Sequence, residues 1–276
     1  MMNIHKKLLE YKVYLKVVTF LAFAIIYFPI LIITLLSFNE SKKGYSFTGF
    51  SLKWYLEIFQ DERLLQAIIN TLIIAILSTT IATIVGTFTA IGINGLSKSN
   101  RVRMMILNNI PVINPDIVTG ISLMLVLSLL PISFGMSTML LAHVFFSIPF
   151  VVLAVLPKLK KLDKNLFDAA LDLGCTRFQA ILKVIIPSIK TSIIAGALIA
   201  FTMSIDDFVI SYFTTGNGFQ NVSIWIYSRI GRKSFSPAVY SYNTLVVFVT
   251  IAGLIVFNRI SNKKAAKNRI IKENIL

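Results

Sequence analysis

One cysteine, two histidines and twelve acidic residues are all that this 276-residue chain brings to disulfide, metal and carboxylate chemistry. Cys175, alone, excludes an internal disulfide and any thiolate metal cluster, and it reads as a small residue in a helical turn. His143 has no partner histidine or cysteine at metal-ligand spacing, so a packed, hydrogen-bonded side chain is expected there. No Ser/His/Asp arrangement, internal repeat or phosphate-binding loop is found. Gly231-Arg-Lys-Ser234 lacks the upstream glycine spacing that would cradle a nucleotide, so the chain is expected to hold no cofactor and no ATP.

Charge is scarce as well. Charged residues make up 14% and hydrophobic residues 56%, a balance that excludes an ordinary water-soluble domain and places the chain among polytopic membrane proteins. What charge there is has one sign: 27 Lys and Arg give a net +15. In a soluble protein this would point to nucleic acid. In a membrane protein it points to basic cytoplasmic loops, and no nucleic-acid partner is expected.

Six apolar runs have the length of a bilayer crossing, at 17–36, 64–93, 104–130, 137–156, 191–213 and 237–258. The basic leader before the first run resembles a signal peptide, but the run is long for one and lacks a small-residue cleavage site. It is read as a retained first helix. Lys and Arg number four in the leader, three in the second-to-third turn, seven in the 157–190 loop and six in the tail, against seven in the other connections. That asymmetry predicts six spans with both termini cytoplasmic, in one all-α membrane domain over 1–276.

Polar residues inside the runs are the candidate pathway. Asn108, Asn109, Pro111, Asn114, Pro115 and Asp116 crowd the third run, where such groups are tolerated only against protein or a wet cavity. Asp116, Asp206 and Asp207 are carboxylates at membrane depth, so function is the default expectation. Adjacent helical residues point about 100° apart, so Asp206 and Asp207 are expected to divide their roles, one lining a path and the other pairing with a neighbouring helix or a second subunit; the alternative reading is that these aspartates only cap a broken helix or pair with a basic residue. Tyr212, with Phe201, Phe208 and Phe213 nearby, offers aromatic faces to a cation.

The polar interlude 157–190 carries the most local detail. Asp163 can cap a helix whose apolar residues Leu166, Phe167, Ala170 and Leu173 fall on one face. Gly174 ends it, Thr176 and Gln179 form a capping box for a second helix, and Pro187 is expected to limit that helix.

Asp168-Ala169-Ala170, then Gly174, nine further residues and Val184-Ile-Ile-Pro187 resemble the cytoplasmic EAA motif of ABC-importer permeases, E-A-A-x-x-x-G-x9-I-x-L-P. Downstream, Ser204-Ile-Asp-Asp-Phe-Val-Ile-Ser-Tyr-Phe-Thr-Thr-Gly216 is similar to the permease subunits of spermidine/putrescine importers. The resemblance implies a type I importer fold in a bacterial inner membrane. It also implies a second homologous permease, a cytoplasmic ATPase homodimer that binds ATP and Mg2+, and an extracytoplasmic polyamine-binding protein. Leu166, Phe167, Asp168, Ala169, Ala170, Gly174 and Pro187 would then form the ATPase-coupling element, with Leu166, Phe167 and Ala170 as anchors in an ATPase groove. Asp116, Asp206, Asp207 and Tyr212 would serve the substrate pathway. The chain itself would not be an enzyme. Readings left open are an importer permease for Fe3+, an anion or a sugar, and a stand-alone proton-coupled carrier using Asp116 and Asp207 as a relay.

Overall fold

The computed structural model describes residues 2–41, 47–163, 165–229 and 237–252, with Ile255 and Arg259. Among these residues the regular structure is helical: α1 Met2–Ser37, α2 Lys53–Gln60, α3 Glu62–Gly95, α4 Lys98–Ile113, α5 Asp116–Ser128, α6 Met136–Lys160, α7 Asn165–Asp172, α8 Arg177–Ala180, α9 Ile186–Asp206, α10 Val209–Thr214 and α11 Val222–Arg229. A shorter apolar helix, α12, covers Ala238–Ala252. The backbone divides into two units, 63–227 and the terminal stretches 1–62 with 228–276.

In the 63–227 unit, α6 and α9 lie side by side over an apolar core of Val151, Val155, Leu156, Ile185, Ile189 and Ala200. α3 joins this core through Ala90 and Ile93, at a close approach that only glycine permits. A Cβ on Gly86 would stand 2.8 Å from two carbons of Val151. Further along, Leu123 and Leu127 of α5 pack with Ala142 and Phe146 of α6 and Ile210 of α10.

Among the described residues, four continuous helices have the length and composition to cross a membrane: Tyr14–Ser37, Glu62–Gly95, Met136–Lys160 and Arg177–Asp206. Two of the expected spans differ from the sequence-based reading. The run at 104–130 is not one helix but α4 and α5, bent by 104°. The cause is local: proline disfavours helical backbone at the residue before it, and Asn114 is extended at ψ 141. The run at 191–213 begins earlier, at Arg177, and stops at Asp206. Asp207 is extended (φ −61, ψ 125) and starts the separate helix α10. The expected sixth span, 237–258, is represented by α12, and residues 253, 254 and 256–258 fall outside the described residues, as does the Gly231-Arg-Lys-Ser234 fragment.

Pro187 does not limit the second short helix. α8 runs into α9 through a π-helical turn, Ile181–Ile185, in which the Ile186 N–H donates to the Ile181 carbonyl. The wider turn accommodates a ring that would clash with the carbonyl four residues back. The connection at 214–236 also holds a helix, α11.

In the terminal unit, the Trp54 indole N–H donates to the Asn39 carbonyl at 2.6 Å, and Ser37 Oγ and Tyr55 Oη hydrogen bond at 2.7 Å. The Ser241 hydroxyl donates to the Ser37 carbonyl, which ties α12 to the end of α1. Asp61 and Arg229 form an ion pair at 3.3 Å. The apolar window of α1 buries none of its residues and is left for lipid or a neighbouring subunit.

Candidate functional site

Both helix breaks open onto one cavity of about 420 Å3. Asp116 lies in the first turn of α5, Asp206 ends α9, and Asp207 occupies the break between α9 and α10. All three line this cavity, with Pro111, Thr119 and Phe208 among their neighbours. Irregular backbone at membrane depth is tolerated where it faces such a space, because the freed peptide groups need polar surroundings.

The three carboxylates are not equivalent. Asp207 is largely buried, and its oxygens accept the Ser211 N–H at 2.7 Å and the Ile210 N–H at 3.3 Å, which makes it the N-terminal cap of α10. Its Oδ2 also lies 3.6 Å from His143 Nε2. Asp116 and Asp206 are exposed to the cavity, and neither forms an ion pair among the described residues. Asp206 stands at the negative end of the α9 dipole, where the last carbonyls add to its field. The cavity therefore presents two free carboxylates and a helix C-terminus, a setting that favours a cation.

His143 is fully buried on α6 and belongs to a polar chain that the sequence reading did not anticipate. Nδ1 hydrogen bonds to Ser204 Oγ at 2.7 Å and Nε2 to Ser211 Oγ at 2.9 Å. Ser204 continues to Ser78 of α3 at 3.1 Å, and the Asn221 amide donates to Ser211 Oγ at 2.8 Å and to the Asp207 carbonyl at 3.2 Å. This chain joins α3, α6, α9, α10 and the start of α11 around the break. Thr119 is a second unanticipated residue: its hydroxyl is buried at the cavity wall without a hydrogen-bond partner among the described residues. Isolated serines and threonines are ordinary in apolar helices, so no sequence signal marked them.

Tyr212 is not brought to the cavity lining. It sits in an aromatic group, with ring centroids 5.5 Å from Phe208 and 5.7 Å from Tyr227, and Phe208 is the member that reaches the cavity.

At the other end of this unit, α7 forms as its local sequence dictates. Asp163 Oδ1 accepts the Asn165 N–H at 2.9 Å. Gly174 takes φ +85, and the Cys175 N–H reaches the Ala170 carbonyl while the Gly174 N–H reaches the Leu171 carbonyl, the paired bonds of a Schellman turn. Thr176 and Gln179 complete the reciprocal capping box. The expected anchor face is corrected, however. Ala170 is buried and Phe167 packs on the α3/α6/α9 core, so both hold α7 to this chain. The face left outward comprises Leu166, Asp168, Ala169 and Leu173, the last 87% exposed. Pro187 is exposed in the first turn of α9.

The family described as "Binding-protein-dependent transport system inner membrane component" matches residues 82–266. The spermidine/putrescine transport system permease protein PotC of Escherichia coli (strain K12) is 33% identical over 246 residues, covering 89% of this chain and 93% of PotC. The putrescine transport system permease protein PotI of the same strain is 34% identical over 264 residues, covering 92% of each. A solved bacterial ABC transporter involved in import of the acidic polysaccharide alginate superposes with TM-score 0.70 at 17% identity, over 95% of this chain and 97% of that one, which shows a shared fold. The chain belongs to the binding-protein-dependent transport system inner membrane components, the permease subunits of ABC importers.

Proposed function

We propose that this chain is one of two permease subunits of an ATP-driven polyamine importer, with spermidine or putrescine as cargo. The observation that carries the reading is the cavity at the two helix breaks, where Asp116 and Asp206 have no ion-pair partner among the described residues. A polyamine crossing an apolar slab needs anionic partners, and two carboxylates facing a wet space supply them without closing into a cage that would hold the cation. The names of PotC and PotI as polyamine permeases point the same way.

In this reading a second homologous permease completes the pathway and an extracytoplasmic binding protein delivers the polyamine. A cytoplasmic ATPase homodimer binds ATP and Mg2+. Both termini are cytoplasmic, following the distribution of basic residues. α7 docks in a groove of the ATPase through its outward residues Leu166, Asp168, Ala169 and Leu173, while Phe167 and Ala170 transmit the movement to α3, α6 and α9. Gly174 sets the angle between α7 and α8.

The test is uptake of labelled spermidine and putrescine by vesicles holding the assembled complex, with ATP hydrolysis recorded in parallel. ATP-dependent uptake that falls in Asp206→Asn while the complex assembles supports the reading. Uptake of neither polyamine, with hydrolysis answering to another binding protein, would overturn the cargo. Uptake without an ATPase would overturn the importer assignment itself.

A further inference from the structure

α3 is 34 residues long and so spans about 50 Å, more than a hydrocarbon core requires, so its length leaves turns to extend beyond that core. α6 ends beside it at Lys160. Between these ends, beneath α7, lies a second cavity of about 600 Å3. Its floor is apolar, formed by Ile91, Phe167, Ile181 and Ile185, and its rim carries Arg101, Lys160 and Asp163.

We propose that this cavity binds an anionic phospholipid, with the headgroup phosphate at Arg101 and Lys160 and the upper acyl segment along the floor. Arg101 turns one nitrogen, Nη2, to the Asn94 and Leu96 carbonyls at the end of α3, while its Nε is buried and has no acceptor among the described residues. Lys160 is exposed and forms no ion pair among the described residues. Asp163, the acidic residue on the rim, is engaged with the Asn165 N–H as the cap of α7. The rim thus offers two cations facing a lone carboxylate that already serves a helix end. An apolar floor next to such a rim suits an amphiphile rather than a soluble anion, and basic pockets between spans at the cytoplasmic boundary recognise anionic headgroups.

Phe167 places the occupant against α7. A lipid there links the outward helix to the bilayer and makes coupling depend on lipid charge. That consequence rests on the importer reading of α7, whereas the binding site itself rests on the cavity and on membrane residence.

The experiment is native mass spectrometry of the assembled complex from phosphatidylethanolamine vesicles with and without phosphatidylglycerol. Wild type is expected to retain phosphatidylglycerol in preference to phosphatidylethanolamine. Lys160→Gln, which disturbs no hydrogen bond described here, is expected to retain about fivefold less, the usual effect of one cation near an anionic lipid surface. Lys158→Gln, an exposed lysine outside the cavity, is expected to retain the wild-type amount. Arg101→Lys keeps the charge and guards against loss of the α3 end, and it is expected to retain more than Arg101→Gln. Equal retention in wild type and Lys160→Gln, or of the two lipids, overturns the proposal. So does displacement by millimolar inorganic phosphate, which would make this a soluble-anion site. Retention is read without transport, so a complex that binds the lipid yet moves no polyamine refutes only the cargo.

Discussion

Replacing Asp206 and Asp207 in turn by asparagine separates a pathway carboxylate from a structural one. At Asp206 the change removes a charge that faces the cavity and has no ion-pair partner among the described residues. An ammonium about 4 Å away in a watery site is worth about 1 kcal/mol, and about 4 kcal/mol where the surroundings are drier. The exposure of Asp206 argues for the lower part of that range, about 1 to 2 kcal/mol. The apparent kcat/KM for spermidine uptake should therefore fall roughly 5- to 30-fold. At Asp207 the side chain caps α10, and asparagine caps a helix about as well as aspartate. Asp207→Asn should leave uptake within about a factor of two of wild type, apart from the weakened contact to His143. Asp207→Ala should instead lower complex stability by about 0.5–2 kcal/mol, because the first N–H groups of α10 lose their acceptor. The assays are vesicle uptake at sub-saturating spermidine and thermal unfolding of the purified complex. A larger uptake loss in Asp207→Asn than in Asp206→Asn, at equal assembly, would refute the division of roles.

Four further perturbations test the frame around the site. Gly174→Val places a β-branched residue at φ +85, costs about 1–2 kcal/mol locally, and should leave ATP hydrolysis running while uptake falls; full uptake would show that the turn angle is irrelevant to coupling. His143→Ala removes one hydrogen-bond partner from each of Ser204 and Ser211 and leaves a buried cavity, and should lower thermal stability by about 2 kcal/mol; an unchanged melting temperature would show that the polar chain does not hold α6 to α9 and α10. Gly86→Ala should cost about 1–3 kcal/mol by overpacking, with only partial relief from Val151→Ala, since the Val151 Cβ lies as close as its Cγ1. Leu173→Asp alters an exposed residue in the turn that follows α7, outside the core clusters of the described residues, so it should weaken ATPase co-purification while the permease remains folded; unaltered co-purification would place the docking face elsewhere.

How much was legible in advance depends on how far apart the deciding residues lie. The caps at Asp163, Gly174 and Thr176/Gln179 are local signals between residues two to five apart, and they form as their sequence specifies. The bend before α5 was half legible. Asn114-Pro115 announces an interruption, yet the run reads as one span because its apolar content continues through both helices. The break at Asp207 left no such mark, since nothing in Ser204-Ile-Asp-Asp-Phe distinguishes a cap from a pathway charge. Pro187 reads as a stop in the sequence, yet the helix passes it through a π turn, with Ile185 and Ile189 on either side packed in the core.

The sequence by itself determined the all-α membrane class, the family and the two-helix element at 163–187, because apolar length, charge bias and helix caps are properties of short stretches. Only the tertiary structure decided that Asp116 meets Asp206 and Asp207 across some ninety residues of chain, that Asp207 is a cap held near His143, and that Phe167 and Ala170 face inward. Helices that are apolar on every side carry no periodicity to say which face meets which neighbour, so these pairings arise from the packing of one helix on another.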